Sequence, residues 1–267
     1  MMVTYIFLLT FQYDFAKDGL VYSSPFVLMF VRYLIAAVTL LALARTFRPI
    51  INKDIIILAI VTSIGTILWI LGLQNIQFSQ SAVLSFTFPL FAIPLSSLIL
   101  KEGSSKIVWI GAIIGFAGTV IYSLPLYSTR FTTLAVIFSV GGALFVALYA
   151  VYARKVRLLQ SSRVAGTQFL LGSVVLLVLI PNGVTLTLAP RFLIDLLYVS
   201  IPGGAVSFYL WFVMSKLETV GRLSVLTFAV PAATVVVQFL QTDYVPPDSS
   251  LVGIFLVFLG IFISRRD

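Results

Sequence analysis

Neither histidine nor cysteine occurs among the 267 residues, which removes the commonest general base, the commonest metal ligand and every thiolate mechanism. Chemistry must then fall to a few polar side chains lodged in apolar segments. Arg32, in "PFVLMFVRYLIAA" (25–37), is the sharpest of them. Eight residues into a helix rising 1.5 Å per residue, it sits about 10 Å from the nearer end, and a charge at that depth needs a partner or water. Asp14, in the preceding apolar stretch, lies at similar depth and is the expected partner. Two roles fit: a pair that locks two helices together, or an arginine that holds an anionic group.

Two further sets of residues are candidates for a binding cavity. Gln12, Tyr13, Trp69, Tyr149, Tyr152, Gln168, Tyr209, Trp211 and Gln238 all fall within apolar segments, where a polar side chain facing lipid would be unsatisfied. Tyr149 and Tyr209 are the better cavity candidates; Trp69 and Trp211 fit an aromatic belt equally well. The second set surrounds two prolines. Pro89 in "SAVLSFTFPLF" (81–91) and Pro231 in "LSVLTFAVPAA" (223–233) interrupt apolar runs, and a proline in a helix interior frees a carbonyl of the preceding turn. Ser85, Thr87, Ser224 and Thr227 lie within one or two turns of these breaks, able either to satisfy the backbone themselves or to meet a substrate. The prolines are therefore candidate helix breaks and gates.

The elements that must position these residues follow from composition. The chain is 60% hydrophobic and 10% charged, with a mean hydropathy of +1.13, where soluble domains carry about 25% charged residues. Apolar runs of roughly 20 residues, enough to cross a hydrocarbon core of about 30 Å, divide the sequence into ten spans near 2–17, 25–44, 55–73, 80–100, 107–123, 132–153, 164–180, 192–214, 220–241 and 250–264. The fold expected is an all-α integral membrane bundle of ten transmembrane helices. No cleavable signal is evident, so span one is expected to remain.

Charge gives orientation. With the N-terminus in the cytoplasm, thirteen of the 17 basic residues, from Arg45 to Arg266, fall in inner loops, against Lys17, Arg130 and Arg191 outside, with Arg32 inside a span. That asymmetry is what the positive-inside rule expects of both termini cytoplasmic in the cell membrane. The net charge of +8 is thus an orientation signal, and a nucleic-acid partner is not expected.

The sequence also repeats. At an offset of 142, Trp69 meets Trp211, Pro89 meets Pro231, Gly111 meets Gly253 and Gly118 meets Gly260; at 141, Asp54 before span three meets Asp195 before span eight. The chain reads as two five-helix halves, 1–124 and 130–267. Because five is odd, the second half enters from the opposite side, giving an inverted-topology repeat. That plan is widespread in transporters that alternate access to the two faces.

In combination these segments resemble the drug/metabolite transporter superfamily, in its EamA-like ten-helix branch. The resemblance rests on 25–37, on "LGLQNIQFSQSAVLSFTFPLFAIPLSSLILKE" (71–102) and "GAIIGFAGTVIYS" (111–123), and on their second-half counterparts "FYLWFVMSKLETVGRLSVLTFAVPAATVVVQFL" (208–240) and "VGIFLVFLGIFIS" (252–264). Two departures stand: "LTFQYDFAKDG" (9–19) lacks the family's Trp-Gly pair, and Glu102 has Tyr244 at its second-half position. The resemblance implies a secondary transporter of a small polar metabolite, an amino acid or similar, working without cofactor or metal. Gly111 and Gly115, with Gly253 and Gly260, suit close helix packing; the resemblance implies a homodimer contact through spans five and ten, and packing within one chain is the alternative. The competing classes are a channel or scaffold and an integral-membrane enzyme. No G-x-x-x-x-G-K-[ST] loop exists to bind ATP phosphates, and the scattered carboxylates without histidine or cysteine make no catalytic cluster.

Overall fold

The computed structural model describes residues 1–123, 133–181, 184–242 and 248–266. The junction placed between the halves, Arg130, Tyr244 and the side chain of Gln238 lie outside the described residues. Helices occupy every apolar segment: α1 (Met2–Gly19), α2 (Pro25–Leu43), α3 (Lys53–Gln74), α4 (Phe78–Ser85), α5 (Phe88–Leu100), α6 (Lys106–Ser123), α7 (Thr133–Lys155), α8 (Ser161–Val178), α9 (Pro190–Ser200), a π-helical turn (Ile201–Val206), α10 (Ser207–Leu217), α11 (Val220–Leu226), α12 (Ala229–Thr242) and α13 (Asp248–Ser264). Among the described residues the sole β element is an isolated bridge between Ser23 and Leu186.

Local chemistry sets the ends. Pro25 and Pro190 occupy the first turns of α2 and α9, where the missing N–H has no intrahelical partner to lose. Asn52 caps α3 by accepting from Ile55 N at 2.9 Å, and Gln77 and Gln80 cap the start of α4 reciprocally. Lys17 Nζ donates to the Leu73 and Gln74 carbonyls at 2.8 Å each, placing a cation at the negative end of α3.

The two prolines explain themselves in the same way. The chain does not carry Pro89 in a helix interior; it breaks at Phe86–Thr87 and restarts, so Pro89 falls in the first turn of α5. Pro231 is likewise the third residue of α12, after a break at Thr227–Phe228. A threonine closes each break: Thr87 Oγ1 donates to Leu84 O at 2.8 Å and Thr227 Oγ1 to Ser224 O at 2.6 Å. Ser224 Oγ donates to Val220 O at 2.7 Å.

Helix pairing is reciprocal between the two parts of the chain. α2 packs on α8, α6 on α13, α5 on α11, α3 on α7 and α1 on α9. The α6·α13 seam is the closest: a Cβ on Gly111 would come 2.6 Å from Gly260 O, and one on Gly118 would come 2.6 Å from Gly253 O. The glycine faces anticipated for spans five and ten are thus spent on each other inside one chain.

The bundle exposes apolar side chains and encloses a set of polar ones within an apolar core. Val3 is 81% exposed, Val178 80% and Leu98 77%, whereas Ser63, Ser81, Thr167, Gln168 and Asp195 are completely buried. Among the described residues six helical stretches have the length and composition to cross a membrane: Pro25–Leu43, Lys53–Gln74, Gln80–Leu100, Thr133–Lys155, Ser161–Val178 and Pro190–Leu217. Lys106–Ile121, Val220–Thr234 and Leu251–Ser264 are shorter apolar helices.

Candidate functional site

A recess of about 830 Å³, counting the space open at its mouth, lies among α1, α2, α3, the α4–α5 break, α7 and α10. Helices from both parts of the chain therefore build it. Its wall combines aromatic rings with small and aliphatic residues, and Arg32 is its charged member.

Arg32 is 2% exposed and has no carboxylate within ion-pair distance among the described residues. Its Nε donates to Val199 O at 2.9 Å and its Nη1 to Met29 Sδ at 3.5 Å, and its guanidinium lies 5.5 Å from the Trp69 ring centroid. The amide of Gln12 is satisfied only with its oxygen toward Arg32, accepting from Nη2 at 3.2 Å while its nitrogen donates to Gly203 O. Both carbonyls flank or belong to the π-helical turn at Ile201–Val206. Pro202 has no N–H for the helix ladder there, and π turns of this kind often accompany functional sites. Gly203 and Gly204 let the turn approach: a Cβ on Gly203 would meet the end of the Gln12 amide at 2.8 Å, and one on Gly204 would meet Val199 O at 2.9 Å.

The pairing expected of Arg32 with Asp14 does not form. Asp14 Oδ2 instead accepts from Gln241 Nε2 at 2.9 Å, on a different side of α1. The carboxylate enclosed by the bundle is Asp195, which lies six residues into α9 rather than before it, is 0% exposed, and has Arg191 Nε 3.2 Å from its Oδ1. Arg191 also meets Asp18 at 2.6 Å.

Of the anticipated cavity residues, Gln12, Tyr13, Arg32, Ser85, Tyr149, Trp69 and Trp211 come together in the recess. Asp14, Thr87, Tyr209, Ser224 and Thr227 do not line it, the last two being fully buried elsewhere. Tyr5, Thr62, Thr66, Phe86, Phe88, Ser207 and Phe208 line it unanticipated; nothing in their types marks them, although Tyr5, Leu9, Gln12 and Tyr13 share the spacing of one helix face. Trp69 and Trp211 are 7% and 2% exposed, so they belong to the recess and not to an aromatic belt.

Several polar atoms in the wall lack partners. Trp69 Nε1, Trp211 Nε1, Tyr149 Oη and Ser85 Oγ are buried without a hydrogen bond. Trp69 and Ser85 stand beside the Tyr13 hydroxyl without reaching bonding geometry. The other lining hydroxyls are committed: Thr62 Oγ1 donates to Leu58 O at 2.6 Å, Thr66 Oγ1 pairs with Tyr33 Oη at 2.7 Å, and Ser207 Oγ donates to Pro202 O at 2.9 Å. Buried polar groups normally find partners; among the described residues four of the unpartnered ones face this recess, and Ser24, Ser81, Ser139, Gln168, Asp195 and Ser200 hold the others.

The sequence pattern of the EamA-like transporter family matches residues 1–124 and 133–266. A protein of Acidianus ambivalens described as "Uncharacterized transporter in sor 3'region" is 44% identical over 239 residues, spanning 90% of this chain and 93% of its own. "Uncharacterized transporter YvbV" of Bacillus subtilis is 24% identical over 260 residues, with 94% and 85% spanned. A crystallised protein at 17% identity superposes with a TM-score of 0.83 over 99% of this chain and 94% of its own, which shows a shared fold. A multi-pass membrane protein with a central recess and these relatives belongs to the EamA-like transporter family.

Proposed function

We propose that the chain is a secondary transporter moving a small polar metabolite, of the size and polarity of an amino acid, across the cytoplasmic membrane by alternating access. The reading takes the chain as ten transmembrane helices in two inverted five-helix repeats, 1–124 and 130–267, with both termini cytoplasmic. One observation carries it: a recess with unpartnered polar atoms is walled by helices of both parts of the chain, α1, α2 and α3 from one and α7 and α10 from the other, in a bundle whose helices pair reciprocally. An inverted repeat supplies two states of similar energy, open to opposite faces, because exchanging the conformations of the halves exchanges the open side. The breaks at Phe86–Thr87 and Thr227–Phe228 act as hinges in this scheme, and Gln12, Tyr13, Arg32, Ser85 and Tyr149 hold the substrate.

The test is flux in proteoliposomes. Trans-stimulated exchange of a labelled solute supports the carrier; ohmic conductance without exchange identifies a channel instead. Topology is open to direct measurement, because a chain without cysteine reports single introduced cysteines with no background. Labelling of Lys53→Cys from the cytoplasmic face and Lys17→Cys from the opposite face is expected, and the reverse would overturn the orientation.

A further inference from the structure

The recess contains a cation and a surplus of donors. Arg32 offers five N–H bonds, and Val199 O, Met29 Sδ and Gln12 Oε1 take three of them, the sulfur weakly. An indole N–H can only donate; Trp211 has no acceptor among the described residues, and Trp69 has only the Tyr13 hydroxyl beside it, short of bonding geometry; the Tyr149 and Ser85 hydroxyls can donate to the same ligand. Among the described residues no aspartate or glutamate lines the recess. A guanidinium enclosed in a membrane bundle without a carboxylate is costly, and an anion arriving beside it offsets that cost. Much of the remaining wall is aromatic: Tyr13 stands edge-on to Trp69 at 5.4 Å between centroids, and Tyr149 lies 5.0 Å from Phe208 and 6.5 Å from Trp211.

We propose that the recess takes a small organic anion, a single carboxylate on a flat apolar body, held by Arg32 and the Trp69 and Trp211 N–H groups, and that it discriminates against an ammonium on the same skeleton. Charge-assisted bonds from a guanidinium fork to a carboxylate are among the strongest a protein makes. An ammonium can also lie on aromatic faces, but here it would share the recess with Arg32 and find no carboxylate to screen the two cations. The proposal rests on the carrier reading for its physiological meaning and replaces the amino acid there with an acid of similar size that lacks the ammonium.

The experiment uses four probes on one skeleton, 3-phenylpropionate, L-phenylalanine, phenethylamine and 3-phenylpropan-1-ol, titrated into the purified full chain. Of the three tryptophans, Trp69 and Trp211 face the recess and Trp109 is 36% exposed, so a Trp109→Phe background leaves recess reporters of fluorescence. Saturable quenching by 3-phenylpropionate is expected, with affinity at least roughly tenfold above phenethylamine, which lacks the carboxylate and its charged hydrogen bonds, and above phenylalanine, whose ammonium finds no acidic partner beside Arg32. Arg32→Gln should abolish the preference for the acid over the alcohol. Should Arg32→Gln fail to fold, Trp211→Phe, which keeps a ring and loses the N–H, should weaken the acid severalfold and spare the alcohol. Equal or tighter binding of phenethylamine or phenylalanine overturns the proposal, as does an acid preference that survives in the variants, or no saturable binding by any probe. Binding in the expected order without exchange flux in proteoliposomes overturns the carrier reading alone; flux that favours the amine overturns the anion site alone.

Discussion

Arg154 Nε lies 2.6 Å from Glu102 Oε1, and the pair knots four helices at one end of the bundle. Arg154, near the end of α7, also donates to Ser215 O of α10, and Glu102, just past α5, accepts from Val220 N at the start of α11 at 3.3 Å. The two side chains are 12% and 17% exposed. Removing either partner strands the other in a largely dry site, so Glu102→Gln and Arg154→Gln should each cost about 2 kcal/mol. A drop in thermal midpoint in detergent checks this. Lys155 and Asp54, 2.7 Å apart but 46% and 32% exposed, serve as the control: breaking that pair should leave the midpoint nearly unchanged because water and salt screen it.

The α6·α13 seam leaves no room for a methyl group. Gly118→Ala would put its Cβ 2.6 Å from both Gly253 O and Val257 N, backbone atoms that cannot rotate away. About 1–3 kcal/mol of destabilisation should follow. Gly103→Ala, with nothing within 4 Å, should leave the midpoint within about 0.5 kcal/mol of wild type.

Gly203 faces a side chain instead of backbone. Its added Cβ would press on the end of the Gln12 amide at 2.8 Å, moving the group whose oxygen accepts from Arg32. Gly203→Ala should therefore weaken 3-phenylpropionate by roughly fivefold, about 1 kcal/mol, with a smaller loss of thermal stability than Gly118→Ala. Fluorescence titration beside a melting curve separates the two effects.

Asp195 is wholly enclosed and Arg191 is half exposed. Arg191→Gln leaves the carboxylate without its cation and should lower the thermal midpoint, by less than the loss of a fully buried pair because solvent reaches the guanidinium. Asp195→Asn removes the buried charge itself and should cost less than Arg191→Gln. The opposite ranking in thermal melts would mean that Asp195 draws its stability from elsewhere.

The sequence by itself determined the helices and the class of molecule. Apolar runs of spanning length, short polar loops and paired prolines are local properties, and each produced a helix or a break near its expected place. Depth was legible too, because a fixed rise per residue places Arg32, Trp69 or Tyr149 along its own axis. Tertiary structure alone decided azimuth, the direction each side chain faces once helices pack. Arg32 turned toward Val199 O and the π-helical turn and away from Asp14; Thr87, Ser224 and Thr227 turned onto their own backbone; Tyr5, Phe88 and Phe208 turned into the recess. The physical reason is that periodicity distinguishes apolar from polar faces, whereas in a helix apolar all round no face is marked. Which residues then meet depends on helix pairs such as α2 with α8, whose members are more than a hundred residues apart in the chain.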